Sequence, residues 1–362
     1  MALRVLLLAA GNSVHTMRWA EAFAKRGCAV HLVTQHAPVV QPGAGISVHP
    51  LPYKGATGYM LNGPAVRRIT AAVRPHVVNA HYATGYGTLA RWCSGTPLVL
   101  NVWGSDVFDF PEKSAFHKML MRSNLLRADS VVSTSEVMAK RTRTLCLGLQ
   151  HLHVVPFGVE SAVFKPRDAS AAPDGSVVIG TVKTLAPKYG VDTLVDAYAL
   201  LRKRMGDQPK TTLRIVGTGP QMEALRSQAA TLGIAQHVQF VGAVPHNAVP
   251  DELRRMAIFC ALSRDDSESF GVAVVEASSC ALPVVVSDAG GLPEVVSNGV
   301  TGWVVPRENA EAAVTKLHEL VVDAAQRQRM GAMGRAVVLE RYEWDTCVDR
   351  QLEVLNLACQ RR

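Results

Sequence analysis

The sequence predicts an α/β protein built from two Rossmann-like domains, each a parallel sheet wound with helices. Three observations predict it. The chain has 362 residues, enough for two separate cores. Hydrophobic residues make up 48% and charged residues 19%, the balance of a soluble α/β protein. A strand–loop–helix pattern opens the chain and opens again near its midpoint, at residue 177.

The first unit begins with the apolar run Leu3–Leu8 as a strand, followed by a loop over Ala9–Ser13. A helix over Val14–Arg26 is stopped by Gly27, and Ala29–Thr34 forms the next strand. The run Val5–Ala10 is too short for a signal peptide and leads straight into a helix, so a strand is the reading. No apolar run approaches the roughly 18 residues that cross a bilayer. A βαβ opening puts its loop at the carboxyl ends of parallel strands, where such sheets bind ligands. Ser13 there is a helix N-cap. Asn12 and His15 face the same edge, with His15 either a surface helix residue or a contact for an acceptor or phosphate.

Strands recur at His76–Ala80, Pro97–Val102 and Ser130–Ser133. His81 and Tyr82 follow the first of these, and Trp103-Gly-Ser-Asp106 follows the second, again on the binding edge. Asp106 is either a helix cap or an acceptor contact. Pro111–Arg127 reads as one helix carrying Lys113, His117, Lys118, Arg122 and Arg127 among Phe116, Met119, Leu120 and Met121. Such a helix either lies on an anionic membrane or buries its apolar face in the domain. Residues 167–175, rich in Ala, Asp, Pro and Gly, read as a linker. The expected domains are therefore 1–165 and 166–342, with a last helical segment over 343–362.

The second half restarts with a strand at Val177–Val182, a loop carrying Lys183 and Lys188, and a helix over Val191–Met205. Leu213–Val216 runs into the turn Gly217-Thr-Gly219, which lacks the spacing of a dinucleotide fingerprint. Met256–Leu262, the loop ending at Gly271, a helix over Val272–Ala281 and the strand Pro283–Val286 form a further unit. Glu268 lies in that loop and Glu276 lies one turn inside the helix. The amides of Ser269, Phe270, Gly271 and Val272 have no intrahelical partner and sit at the positive end of the helix dipole. Two carboxylates beside an anion-attracting helix start suit a ligand with hydroxyls and phosphates, such as a nucleotide sugar. Taken by spacing alone, they are equally a solvated loop Glu and a dipole-favoured helix Glu.

The net charge of +8 is unevenly placed. Residues 1–165 hold 17 Lys and Arg against 7 Asp and Glu, whereas residues 166–362 hold 21 against 23. The first half is thus matched to an anionic partner, a membrane surface, a lipid phosphate or a polyanion, or else carries charge that serves solubility alone. No nucleic-acid motif accompanies the charge, so nucleic acid is not the expected partner. The seven cysteines are scattered without a C-x-x-C pair and read as buried hydrophobes of a cytoplasmic protein.

Glu268-x7-Glu276 followed by Pro283-Val-Val-Val-Ser-Asp-Ala-Gly-Gly-Leu-Pro-Glu294 resembles the signature of the retaining GT4 glycosyltransferases of the GT-B fold. The resemblance implies two Rossmann-like domains facing a central cleft, the C-terminal helix crossing back to the first. It implies that Glu268 holds the donor sugar and that Glu276 holds the ribose of the nucleotide. Lys183 and Lys188 resemble the family's Arg and Lys, which clamp the donor diphosphate. The turn at Gly217 and the segment Val238–Val244 resemble the parts that meet the nucleotide. Trp103 stands where the family often has His, a departure that leaves no general base at that position. The chemistry implied is transfer of a sugar from a UDP- or GDP-sugar to a hydroxyl acceptor, on a glycan, a lipid-linked molecule or a small molecule, without metal or other cofactor. A nucleotide-sugar epimerase and a non-catalytic nucleotide-sugar-binding protein share the donor features and stay open at this point. The expected place is the cytoplasm, free or peripheral at the inner face of the membrane.

Overall fold

The computed structural model describes residues 2–38, 41–167, 176–206 and 209–361. Beyond Arg167, the expected linker lies outside the described residues. The chain divides into two compact units, Met1–Pro156 with Asp345–Arg362, and Phe157–Trp344. The divisions fall at 156/157 and 344/345, where the sequence suggested 165/166 and 342/343. The physical reason is local packing: Phe157 lies against Phe270 at 6.3 Å, and Ser279 Oγ donates to the Phe164 carbonyl at 2.6 Å.

The first unit holds seven parallel strands: β1 (Arg4–Leu8), β2 (Ala29–Thr34), β3 (Ile46–Pro50), β4 (Val77–His81), β5 (Leu98–Asn101), β6 (Ser130–Ser133) and β7 (Leu152–Val154). Their order is β3-β2-β1-β4-β5-β6-β7. Leu6, Leu8, Val78 and Leu100 are fully buried in one core with Met121 and Leu125. Such near-continuous apolar strands are expected where helices cover both faces of a parallel sheet. β3 and β7 escape the sequence pattern: ISVHP interrupts its apolar residues and β7 is three residues long.

The expected helix over 111–127 is two elements. A 3-10 turn at Phe110–Lys113 ends at Ser114, whose backbone is extended and whose side chain accepts from the His117 amide, capping a new helix at Ala115–Arg127. Met121, Asn124 and Leu125 of that helix are buried, while Phe116, Met119 and Leu126 are exposed beside its lysines and arginines. The apolar residues are therefore divided between core and surface, a third outcome beside the two expected.

The last helix, Trp344–Gln360, runs through the second division and completes the first unit. Cys347, Val348, Leu355 and Ala358 are fully buried. Arg26 holds Asp345 at 3.0 Å and Asp349 at 2.6 Å, and Asn101 donates to Gln351 at 3.3 Å.

The second unit contains β8 (Val177–Val182), β9 (Thr211–Val216), β10 (Val238–Gly242), β11 (Ile258–Ala261), β12 (Val284–Ser287) and β13 (Gly302–Val305), all parallel. The order is β10-β9-β8-β11-β12-β13. In each unit the winding direction reverses once, between β1 and β4 and between β8 and β11. Loops leaving strands on either side of such a reversal turn apart and open a crevice at the carboxyl ends.

Leu355 is a core residue of the first unit despite its distance in sequence. Leu355→Ala is expected to destabilise that unit by about 2–5 kcal/mol. Faster hydrogen exchange at the β1 amides, with the β12 amides unaffected, is the check.

Candidate active site

In the second unit, the loops after β8 and β11 flank the reversal, and each holds half of a charged cluster. Lys183 leaves β8, and its Nζ lies 2.6 Å from Glu268 Oε2, both side chains being largely buried at 14% and 9% exposure. Ser263 Oγ donates to the same carboxylate oxygen at 3.1 Å. The ring of Tyr189 gathers the two lysines, with Lys183 Nζ 4.6 Å and Lys188 Nζ 4.9 Å from its centroid. The Arg264 amide donates to the Lys188 carbonyl at 2.8 Å, tying one loop to the other.

Glycine makes this approach feasible at two points. Gly217 has φ +135°, and a methyl there would fall on the carbonyl oxygen of Lys183. Gly290 has φ +50°, and its methyl would fall on the carbonyl of Glu268. The neighbouring Gly291 amide donates to that carbonyl at 2.9 Å. Asp266 accepts from the Gly290 amide at 3.2 Å and pairs with Arg307 at 3.0 Å, which also holds Asp288 at 3.1 Å. The loop carrying Glu268 is thus pinned from both sides.

Gly271, in the left-handed region at φ +88°, starts the helix Val272–Ser279, and no side chain caps it. Ser269 and Phe270 are buried just before it. Glu276, 5% exposed, has its Oε1 3.0 Å from His246 Nε2. His246 follows Val244 by two residues in the loop after β10, so the segment expected beside the nucleotide converges on Glu276.

At the strand ends of the first unit lie rings rather than charges. Trp103 stacks on His81 at 4.3 Å and meets Tyr82 edge-on at 5.2 Å and His15 at 6.2 Å. Tyr82 has φ +70°, a conformation costing roughly 1–3 kcal/mol for a non-glycine residue. Asn12 is exposed in the turn before Ser13, whose side chain caps its helix as expected. Asp106 is fully buried, yet it is not the N-cap, which is Gly104. Its Oδ2 accepts from the Ala83 amide at 2.8 Å, and its Oδ1 accepts from Trp103 and Gly104 at 3.1 and 2.9 Å. Burial pushes its carboxyl up, and these amides oppose the shift. The helix-cap alternative for Asp106 gives way to another role: it knots two loops together.

Residues 164–337 match the family model described as glycosyl transferases group 1, and residues 4–135 match that described as glycosyl transferase 4-like. The chain belongs to the GT4-type glycosyltransferases. It is 34% identical over 221 residues to a GDP-mannose-dependent alpha-(1-6)-phosphatidylinositol monomannoside mannosyltransferase of Mycolicibacterium smegmatis. That alignment takes in 58% of this chain and 56% of the relative, so the chain spans little more than half of that protein's length. A D-inositol 3-phosphate glycosyltransferase of Jonesia denitrificans is 28% identical, with 96% of this chain and 91% of that one covered. Sucrose-phosphate synthase from Thermosynechococcus elongatus shares the fold at a TM-score of 0.87 and 18% identity, over 99% of this chain and 100% of that one. The fold class is GT-B.

Within this GT4-type chain, Lys183, Lys188, Glu268 and Gly217 form one cluster, while Glu276 meets His246, two residues past Val244. The sequence reading passed over Tyr189, Ser263 and His246. Tyr189 carried a signal, an aromatic directly after the second lysine. His246 carried none, because only folding brings it to Glu276. Among the described residues no group of three or more metal-ligating side chains is present.

His81 is fully buried, and burial, with the charge of His15 second, pushes its imidazole down to about 3 from the usual 6.5. A neutral His81 in the folded state means that the unfolded chain binds the extra proton. Stability is then complete above about pH 6.5 and is lost as pH falls toward 3, by up to about 1.4 kcal/mol per pH unit. His81→Phe keeps a ring against Trp103 and is expected to flatten that limb. Urea unfolding at pH 7 and pH 5 measures it, and an unchanged difference between the two would remove His81 as the cause.

Proposed function

We propose that this protein is a retaining glycosyltransferase that moves a sugar from a nucleoside-diphosphate sugar to a hydroxyl of a lipid-linked acceptor. The carrying observation is the buried Lys183–Glu268 pair, set among loops on either side of the strand-order reversal. Burying two charges contributes little net stability, and their attraction at best offsets the lost hydration. A pair retained at such a place is better explained by chemistry than by stability.

In the proposed reaction, the bond from the sugar's anomeric carbon to the phosphate oxygen breaks, and a bond from the acceptor oxygen forms on the same face. The acceptor proton passes to the departing phosphate. Negative charge grows on the diphosphate, so fixed cations and amides aimed at it lower the barrier. Lys183 and Lys188 supply the cations, and the amides of Ser269, Phe270, Gly271 and Val272 supply the dipole. Glu268 orients the sugar through its hydroxyls. His246 steadies one oxygen of Glu276, and the other accepts from the ribose. Gly217 and Val244 line the nucleotide. With two lysines at the phosphates, the reaction needs no metal or other cofactor. Transfer is preferred to epimerisation or to mere binding because both halves of the chain match transferase models.

A UDP- or GDP-sugar fits the donor features, and one relative is named for GDP-mannose. The lipid-linked acceptor is supported by two things: the basic first half, and two relatives named for inositol-phosphate compounds, one of them lipid-linked. Asn12, His15 and Trp103 form the acceptor side of this reading, and Asp106 holds Trp103 in position. Among the described residues no helix is long and apolar enough to cross a membrane. The basic first half and the lipid-linked compound in one relative's name support a place in the cytoplasm, peripheral to the inner face of the cell membrane.

Lys183→Ala and Lys188→Ala are each expected to lower turnover about a hundredfold, with wild-type activity persisting in EDTA. Near-normal turnover in both variants would take the lysines out of the mechanism, and activity lost in EDTA and restored by Mg2+ would end the metal-free reading. The two glutamates separate by readout. Glu276→Gln is expected to weaken binding of free nucleoside diphosphate, whereas Glu268→Gln chiefly lowers the rate and blurs the choice of sugar. Calorimetric titration giving wild-type nucleotide affinity for Glu276→Gln would remove the ribose assignment.

A further inference from the structure

A cavity of about 470 Å³ opens on the first unit, away from the residues discussed above, and its lining includes Tyr59, Arg67, Arg91, Trp92, Ser94 and Arg127. Three of these are arginines, and no carboxylate lines it. Among the described residues, none of the three forms an ion pair. Two are held by neutral partners instead. Arg91 donates to Ser123 Oγ at 3.0 Å and Asn124 Oδ1 at 3.1 Å, and Arg127 donates to the Arg91 carbonyl at 3.2 Å. Positioned guanidiniums without a counter-charge are matched to a planar or tetrahedral anion, which they can grip through two parallel N–H groups.

Two of the lining residues are apolar and exposed. Met60 is 73% exposed and Trp92 39%. Trp92 does not hang loosely: Gly63 lies under its indole, where any Cβ would collide with the ring. A fixed, half-exposed tryptophan beside arginines and an exposed methionine is the pattern of a surface at the headgroup level of a bilayer. Phe116 and Met119, exposed on the helix Ala115–Arg127, carry the apolar surface further.

We infer that Arg67, Arg91 and Arg127 form a binding site for the phosphate of an anionic lipid headgroup, with Met60 and Trp92 entering the interface beside it. This goes beyond the transferase reading, and its test reads binding rather than turnover.

The intact protein is sedimented with phosphatidylcholine vesicles alone and with vesicles also holding phosphatidylinositol or phosphatidylglycerol. Partition is expected to need the anionic lipid and to weaken about a hundredfold when Arg67→Gln, Arg91→Gln and Arg127→Gln are combined. Combining Lys113→Gln, Lys118→Gln and Arg122→Gln removes the same charge from residues outside the cavity, on the turn Phe110–Lys113 and the helix that also carries Arg127, and is expected to cost tenfold or less, about the effect of diffuse attraction. Arg91→Lys keeps the charge but not the fork, and is expected to lose affinity while melting as wild type does. Glycerol 3-phosphate should compete with the vesicles. Equal losses in the two triple variants would reduce the site to general charge and overturn it. Binding of inorganic phosphate at these arginines without any partition to anionic vesicles would overturn the lipid as its source. Nucleotide binding by each variant establishes that the chain has folded, and it is unaffected if only the headgroup site is altered.

Discussion

Backbone packed directly on backbone at the carboxyl ends of β8, β9, β11 and β12 is the constraint on which the second unit depends. Gly217 against Lys183, Gly190 against Leu262 and Gly290 against Glu268 leave no room for a side chain at any of these points. Because the chain segments touch there, a lysine from the first loop and a glutamate from the fourth meet at 2.6 Å while largely out of water. The charges follow from the closeness. Had the loops stood a side chain's width apart, each carboxylate and ammonium would have reached solvent and been screened by it. The loop before Val272 is tied down as well, by Asp266 to the Gly290 amide and to Arg307.

The first unit uses the same strand order for another end. Its loops meet through rings and through one carboxylate whose oxygens are all taken up by amides. Asp106 ties this edge together through backbone amides, and burial keeps His81 neutral beside it. The family's frequent histidine is replaced by Trp103, whose neighbour on the next strand is itself a histidine, brought to 4.3 Å by the parallel register of β4 and β5. Cation-rich surface lies elsewhere on the unit, around Arg67, Arg91 and Arg127, so that recognition by shape and recognition by charge are kept apart.

Much of the fold was legible in the sequence because parallel strands buried on both faces are written as apolar runs, and the loops that matter begin where those runs stop. Strand boundaries at β2, β6 and β8 agree with the residues read, and the helix Val191–Met205 agrees at both ends. The elements that were missed are those whose stability is borrowed from neighbours. β7 is three residues long, and the break at Ser114 depends on a side chain turning back on its own helix. In the site, Lys183 and Glu268 could be named from a resemblance, but their contact spans 85 positions in sequence, and spacing cannot express it. Asp106 was misjudged for the same reason, since one of its three amides comes from Ala83, on a different loop.

The return of the chain to the first unit has a consequence for how the protein is made. Asn101 finds Gln351 across 250 positions, so the larger sheet has a long-range partner that leaves the ribosome after the whole second unit. The second unit is continuous from Phe157 to Trp344 and has everything it needs once that stretch has emerged. The first unit emerges first yet must wait for the helix whose Cys347, Val348 and Leu355 are buried in it. Order of synthesis and order of completion are therefore reversed. During that interval the nascent first unit exposes apolar surface that a molecular chaperone would recognise.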